Sequence, residues 1–260
     1  MKEKMKNPAA MRIPGFFMYG IAAVLLFLLL SASIGKQKMI YCEEVHVSIN
    51  AEESERFVKE STVEKWVMAY LGNGKSRKTI KDISLSDLET YLTAKPYVSK
   101  AYAHFDIRGR LSVQIDQDLP LVRVIDGMGL SYYITETRKK MPLGIEYTAR
   151  VPIVTGHIPV SQGDSIPTSG VLYELFKYGK YMQKDHFMEA LTEQIYISDK
   201  GDMEIIPKAG DFSINIGDAG ELDKKSKRIL SFYKKGVLSS KYENVRSINV
   251  KYDHQIICTN

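Results

Sequence analysis

The sequence predicts an α+β protein in which an apolar N-terminal helix precedes two outer domains built from short strands and helices. Three observations predict it. From Lys95 to Asp126, Ala101, Ala103, Phe105 and Ile107 alternate with Lys100, Tyr102, His104 and Asp106, and Leu111, Val113 and Ile115 then alternate with Ser112, Gln114 and Asp116. A period of two is that of a strand buried on one face, so two such strands around Arg108 and Gly109 form a β-hairpin. Two helical periods lie just before this hairpin, and an uncharged run, Phe16 to Ile34, opens the chain.

Residues 1–15 carry Lys2, Lys4, Lys6 and Arg12 against Glu3 alone and form a cytoplasmic segment. Residues 16–34, FFMYGIAAVLLFLLLSASI, contain neither charge nor proline. At about 1.5 Å per residue such a helix spans about 28 Å, enough to cross a bilayer core. Lys36 and Lys38 then give way to Glu43 and Glu44, so the positive-inside rule leaves the N-terminus in the cytoplasm and the bulk outside. The small residues Ser31, Ala32 and Ser33 also fit a cleaved leader, but the run exceeds the roughly 7 to 15 residues of a secretory apolar core, which favours an uncleaved anchor. Cys42 and Cys258 make no disulfide framework, and Cys42 lies too far past the run for lipid attachment. The remaining length suits two modest domains. A net charge of +5, without an arginine-rich, aromatic-interleaved surface, weighs against nucleic acid as a partner.

The first outer domain starts with a strand from Glu44 to Asn50, where Val45, Val47 and Ile49 alternate with polar residues. Ser61 and Glu64 have capping-box spacing, followed by Val63, Trp66, Val67 and Tyr70 on one helical face, with Trp66 assigned to the core and Gly72 and Gly74 ending the helix. A second capping box, Ser86 with Glu89, opens a helix with Leu85, Leu88 and Leu92 as its apolar stripe, stopped by Lys95 and Pro96. The hairpin completes the order strand, helix, helix, strand, strand. Three strands covered by two helices bury an apolar face in about eighty residues.

The second domain follows with strands at Leu121 to Asp126, Ser131 to Thr135 and Arg150 to Thr155. A helix from Gly170 to Phe187 places Val171, Leu175, Tyr178 and Met182 in one stripe. Gln194 to Ser198, Met203 to Ile206 and Phe212 to Ile216 form a meander. Glu221 to Lys235 returns to helix, with Leu222, Ile229, Leu230 and Tyr233 on one side. Its basic residues Lys224, Lys225, Lys227, Arg228, Lys234 and Lys235 form a solvated face or a docking surface for an acidic partner or anionic lipid. Ser247 to Tyr252 and Gln255 to Thr259 close the chain as strands, the last one a sheet edge whose free N–H and C=O groups can pair with an incoming segment.

Catalytic constellations do not emerge. The five histidines are scattered without zinc-ligand spacing, there is no nucleophile elbow or phosphate loop, and GDAGE from Gly217 is a turn before a helix. Neighbouring acids such as Glu43 with Glu44 lie in polar segments as solvated surface. The composition points to no enzyme, no cofactor and no metal.

The segments PYVSKAYAHF, GRLSVQI and QDLPLVRV, in this order, resemble a POTRA domain as found in the cell-division proteins FtsQ and DivIB. Pro96 with Val98 matches the family's Pro-x-Val signature, and Pro120 its proline-marked exit. KKMPLGIEYTARVPIVTGHIP resembles the segment joining the family's two domains, and ELDKKSKRILSFYKK with SINVKYDHQIICT resembles its C-terminal end. Two places depart from the pattern: Asp118, where relatives more often carry arginine, and TETRK from Thr135 to Lys139, which lacks their aspartate and glycine. The resemblance implies a POTRA domain (β-α-α-β-β) over residues 43–120 and a second mixed α/β domain with a mostly antiparallel sheet over 121–260.

It further implies a single-pass inner-membrane protein of the division septum, non-enzymatic, with its bulk in the periplasm. FtsB and FtsL would dock on the terminal strand and other division proteins on the first domain, to assemble and regulate septal peptidoglycan synthesis. The partner-binding residues implied are Lys251, Tyr252, His254, Gln255, Ile256, Ile257 and Cys258. Lys251 stands where relatives tend to have arginine, and its charge would meet an acidic side chain without arginine's planar fork. On residue type alone, Tyr252 packs on the sheet and Ile256 and Ile257 belong to the core. The competing functions are an export or outer-membrane assembly factor, which calls for repeated domains or a barrel, and a membrane-tethered periplasmic enzyme.

Overall fold

The computed structural model describes residues 19, 24–28, 42, 44–72, 78–144, 147–237, 245–253 and 255–260. Tyr19 and residues 24–28 are helical and exposed, and the rest of the expected membrane span, with Gly74, lies outside the described residues. Among the described residues no helix is long and apolar enough to cross a membrane.

Strand β1 (Val45–Asn50), helices α1 (Glu60–Leu71) and α2 (Leu85–Thr93), and strands β2 (Val98–Phe105) and β3 (Leu111–Gln117) follow in the expected order. β3 takes the middle of a three-stranded sheet, parallel to β1 and antiparallel to β2. Alternation sets which side is buried: Ala101, Ala103, Leu111, Val113 and Ile115 meet Val63, Val67, Leu71, Leu88 and Leu92 in one core. Each large aliphatic side chain enclosed there stabilises the fold by about 1.5 to 3 kcal/mol.

Local details differ from expectation. Ile107 is fully exposed, because β2 stops at Phe105 and the turn spans Asp106 to Arg110 instead of two residues. The Asp106 carboxylate accepts from the Arg108 and Arg110 N–H groups at 2.8 and 2.9 Å, which stabilises this longer turn. Neither capping box forms as expected. Lys59 precedes α1 without a side-chain cap, and Ser84 caps α2 by accepting from Asp87 N–H at 3.2 Å. Glu89 instead accepts from Ala103 N–H at 2.8 Å on the outer edge of β2. Trp66 is partly buried against the core rather than enclosed in it.

The second sheet has nine strands: β4 (Pro120–Ile125), β5 (Ser131–Thr135), β6 (Lys140–Pro142), β7 (Ile153–Gly156), β8 (Thr192–Ile197), β9 (Met203–Pro207), β10 (Ser213–Gly217), β11 (Ser247–Asn249) and β12 (Ile257–Thr259). Their spatial order is β12-β11-β10-β9-β8-β7-β4-β5-β6. The β4–β7, β7–β8 and β10–β11 pairs are parallel and the other five antiparallel. Helices α3 (Val171–Met182), α4 (His186–Leu191) and α5 (Leu222–Phe232) bury one face of this sheet. Ile153, Tyr196 and Ile206, on the other face, remain more than a third exposed.

The expected helix from Gly170 to Phe187 divides because Asp185 starts a new one, accepting from Phe187 and Met188 N–H at 3.1 and 3.2 Å. Its other oxygen accepts from Tyr181 and Ser226 hydroxyls at 2.7 and 2.6 Å, tying α3, α4 and α5 together. Gly179 lets α3 approach β4, since a Cβ there would lie 2.7 Å from Leu121 Cβ. β7 starts three residues later than expected, and α5 ends at Phe232 in a wider-wound turn, Tyr233–Val237.

An aromatic seam joins the two sheets. The Phe57 ring stacks on Tyr97 at 5.7 Å and meets Tyr133 and Tyr147 edge-on at 5.7 and 4.9 Å. Gln117, at the end of β3, accepts from Phe57 N–H at 2.8 Å and donates to Glu55 C=O at 3.0 Å. Lys139, in the β5–β6 turn, donates to the C=O groups of Thr93 and Val98 at 2.9 and 3.1 Å. Thr93 ends α2, where the helix dipole favours a cation. The two departures from the family pattern meet beside this seam, where Thr137 Oγ1 donates to the buried carboxylate of Asp118.

Candidate functional site

The C-terminal edge begins with β11, which lies parallel to β10 and aligns Asn249 with Asn215. The chain turns at Lys251 to Asp253 and returns antiparallel as β12, setting Ile248 opposite Cys258 and Asn249 opposite Ile257. Directly opposed residues share a sheet face, so Cys258 lies on the side of buried Ile248 yet stays exposed at the edge, and Ile257 lies on the open side with Asn249. Ile256 is partly buried against the main core, whereas Ile257 is 44% and Tyr252 51% exposed. Residue type alone placed Ile257 in the core and Tyr252 on the sheet; exposure at the edge overrides both. Gln255 is exposed, and His254 lies outside the described residues.

The two strands are shorter than expected, β11 ending at Asn249 and β12 starting at Ile257, with the Asn249 carboxamide accepting from Lys251 N–H at 2.9 Å in the turn between them. Lys251 does not project freely. Its Nζ donates to both oxygens of Asp202, in the β8–β9 turn, at 2.9 and 3.0 Å, and the hydrogen bond to Asp202 holds its amine above the usual lysine range. Its stem lies over Gly217, where a Cβ would come within 2.9 Å of Lys251 Cγ. Arg228, on α5, holds the same turn by donating to Asp253 Oδ1 at 3.1 Å and to Val250 C=O at 2.8 Å.

The basic face of α5 is therefore not uniformly solvated. Lys225 is buried at 4% exposure, and its Nζ donates to Asp218 C=O and Oδ1 at 2.9 and 3.0 Å, which holds the Asp218 carboxyl below its ordinary range. Sequence reasoning missed Asp202, Gly217 and Arg228 as neighbours of the C-terminal turn. The pairing of Asp202 with Lys251 spans 49 residues, so no local spacing signals it.

Other sheet ends carry local closures. Glu89 occupies the Ala103 N–H on β2, Lys140 N–H on β6 donates to Asp164 C=O at 2.7 Å, and Ile49 C=O on β1 accepts from Ala51 N–H at 2.9 Å. β12 ends the nine-stranded order, and among the described residues no strand lies beyond it. Its Thr259 C=O faces inward, accepting from Arg246 N–H at 2.8 Å. A sheet edge held in place on its inner side and exposed on its outer side can accept a strand from another molecule. Among the described residues no group of three or more His, Cys, Asp or Glu side chains is arranged to hold a metal ion.

A family model described as FtsQ/DivIB, C-terminal related, matches residues 119–259, which takes in β4 through β12 and more than half of the chain. No curated protein matches the chain.

Proposed function

This chain belongs to the FtsQ/DivIB family of division proteins, and from that premise we propose that it is a membrane-anchored scaffold of the division septum whose C-terminal edge takes up a strand from a partner. The apolar run 16–34 anchors it in the inner membrane, and its outer part lies in the periplasm. The unit with β1, α1, α2, β2 and β3, residues 43–120, acts as a POTRA domain that engages other division proteins. Residues 121–260 form the second domain, whose edge binds FtsB with FtsL and so regulates septal peptidoglycan synthesis.

The observation that carries this reading is the contrast among sheet ends: those of β1, β2 and β6 meet side-chain or backbone groups of the chain itself, whereas β12 stands last with exposed side chains. Pairing there uses main-chain hydrogen bonds for affinity and alternate side chains for selection. Tyr252, Gln255, Ile257 and Cys258 supply those side chains, with Lys251, His254 and Ile256 shaping the approach. The family is one of non-enzymatic scaffolds, and binding through an edge needs no reacting group.

Removal of residues 255–260 tests this. The truncated protein, inserted in membranes and with an unchanged circular-dichroism spectrum, is expected to lose FtsB and FtsL in co-purification. Retention of both at the full-length level by that folded protein would overturn the docking reading.

A further inference from the structure

Resting on the docking reading, we infer that Asp202 is a positioning residue, which with Gly217 forms a cradle for Lys251 and so fixes the turn from which the open strand β12 departs. Lys251 then acts on a partner through the geometry of this turn and not by offering its charge.

Four observations carry the inference. Both Asp202 oxygens lie within 3.0 Å of the Lys251 Nζ, so the ammonium group is already engaged. The absence of a side chain on Gly217 leaves room for the lysine stem, which ties the lysine to the end of β10 as well as to the β8–β9 turn. Asp202 is itself held, since its N–H donates to Ser198 Oγ at 3.1 Å and its C=O accepts from Ser198 N–H at 3.0 Å. Arg228 grips the same turn from α5 at Asp253 and at Val250 C=O. The segment before β12 is thus clamped from three elements distant in sequence: the β8–β9 turn, the end of β10 and α5.

A clamp of this kind acts before any partner arrives. An edge held in register loses less conformational freedom on pairing, and preorganisation of that sort raises affinity without a new contact. A partner residue near Lys251 then need not be acidic, because the Asp202 carboxylate already faces the lysine charge. Selection falls on Tyr252 and Ile257, which are exposed beside the turn.

The test uses the full chain with the FtsB–FtsL pair and three variants: Asp202→Asn, Lys251→Met, and the exchange of Asp202→Lys with Lys251→Asp. Amide hydrogen exchange at Arg246 and residues 257–259, measured without any partner, is expected to quicken about threefold in each single variant, the scale of an exposed ion pair, and to return with the exchange. Partner affinity is expected to follow the same pattern. Unchanged hydrogen exchange in Asp202→Asn overturns the clamp. So does an exchange variant that restores protection of β12 but not affinity, because Lys251 then meets the partner directly. Failure of the docking reading shows differently, as retained binding after removal of 255–260, whereas the exchange measurement involves no partner.

Discussion

Arg138 holds a positive φ of 63° in the turn between β5 and β6, a conformation that L-residues other than Asn and Asp seldom adopt. Thr135 N–H donates to Lys139 C=O and Arg138 N–H to Thr135 C=O, both at 3.0 Å, so the turn closes on geometry that glycine would adopt without strain. Three side chains hold it there: Thr135 Oγ1 accepts from Lys139 N–H at 3.2 Å, Thr137 reaches Asp118, and Lys139 reaches Thr93 and Val98. Arg138→Gly relieves the strain and gives some of the gain back as unfolded-chain entropy, so it should raise unfolding free energy by about 0.5 to 1 kcal/mol in a urea titration. A loss of stability would show that the arginine side chain contributes more than its backbone costs. The sequence marked Asp118 and TETRK as separate departures. Their contact was not legible, because it spans 19 residues and depends on how β4 meets β5.

At the scale of elements, periodicity was legible and boundaries were less so. Leu88 and Leu92 are fully buried as their spacing predicts, yet the serine that caps α2 is Ser84 and not Ser86. Two serines, each followed by an acid three residues later, compete for the role, and Asp87 and Glu89 satisfy the same pattern. What decides between them is tertiary: Glu89 is drawn away to the Ala103 N–H, a contact that no local rule contains. Ser84→Ala should therefore cost about 1 kcal/mol. Ser86→Ala, with an exposed side chain outside the cap, should stay within about 0.5 kcal/mol. Chemical denaturation of both variants checks the assignment, and a larger loss from Ser86→Ala than from Ser84→Ala would return the cap to Ser86. The terminal edge shows the same division. Alternation around Ile248 and Val250 announces strands near the C-terminus, whereas the Asp202 and Arg228 contacts that hold the turn arise from the nine-strand order.

At the scale of the whole molecule, the seam decides whether the two sheets behave as one body. Only Asp118 and Leu119 separate β3 from β4, and units joined so briefly still move relative to each other unless a sizeable apolar interface holds them. Here Phe57, 7% exposed, lies against Tyr97 from the first sheet's side and against Tyr133 and Tyr147 from the second's. Tyr133 and Met141 are fully buried in this cluster, so its packing belongs to both units. Gln117 and Lys139 add directional bonds at either side of it. Removing a buried phenylalanine ring costs about 3 to 5 kcal/mol, and in Phe57→Ala the loss falls on coupling as well as on stability. Calorimetry of the full chain is expected to show one cooperative transition for the outer region and two for Phe57→Ala, the three-stranded sheet melting first because its core is smaller. One sharp transition, merely shifted to lower temperature, would mean that the ring stabilises a single sheet and that the coupling lies in Gln117 and Lys139. The distinction bears on the proposed scaffold: rigid coupling would fix the height of the C-terminal edge above the membrane, so a partner anchored in that membrane must carry a segment long enough to reach it.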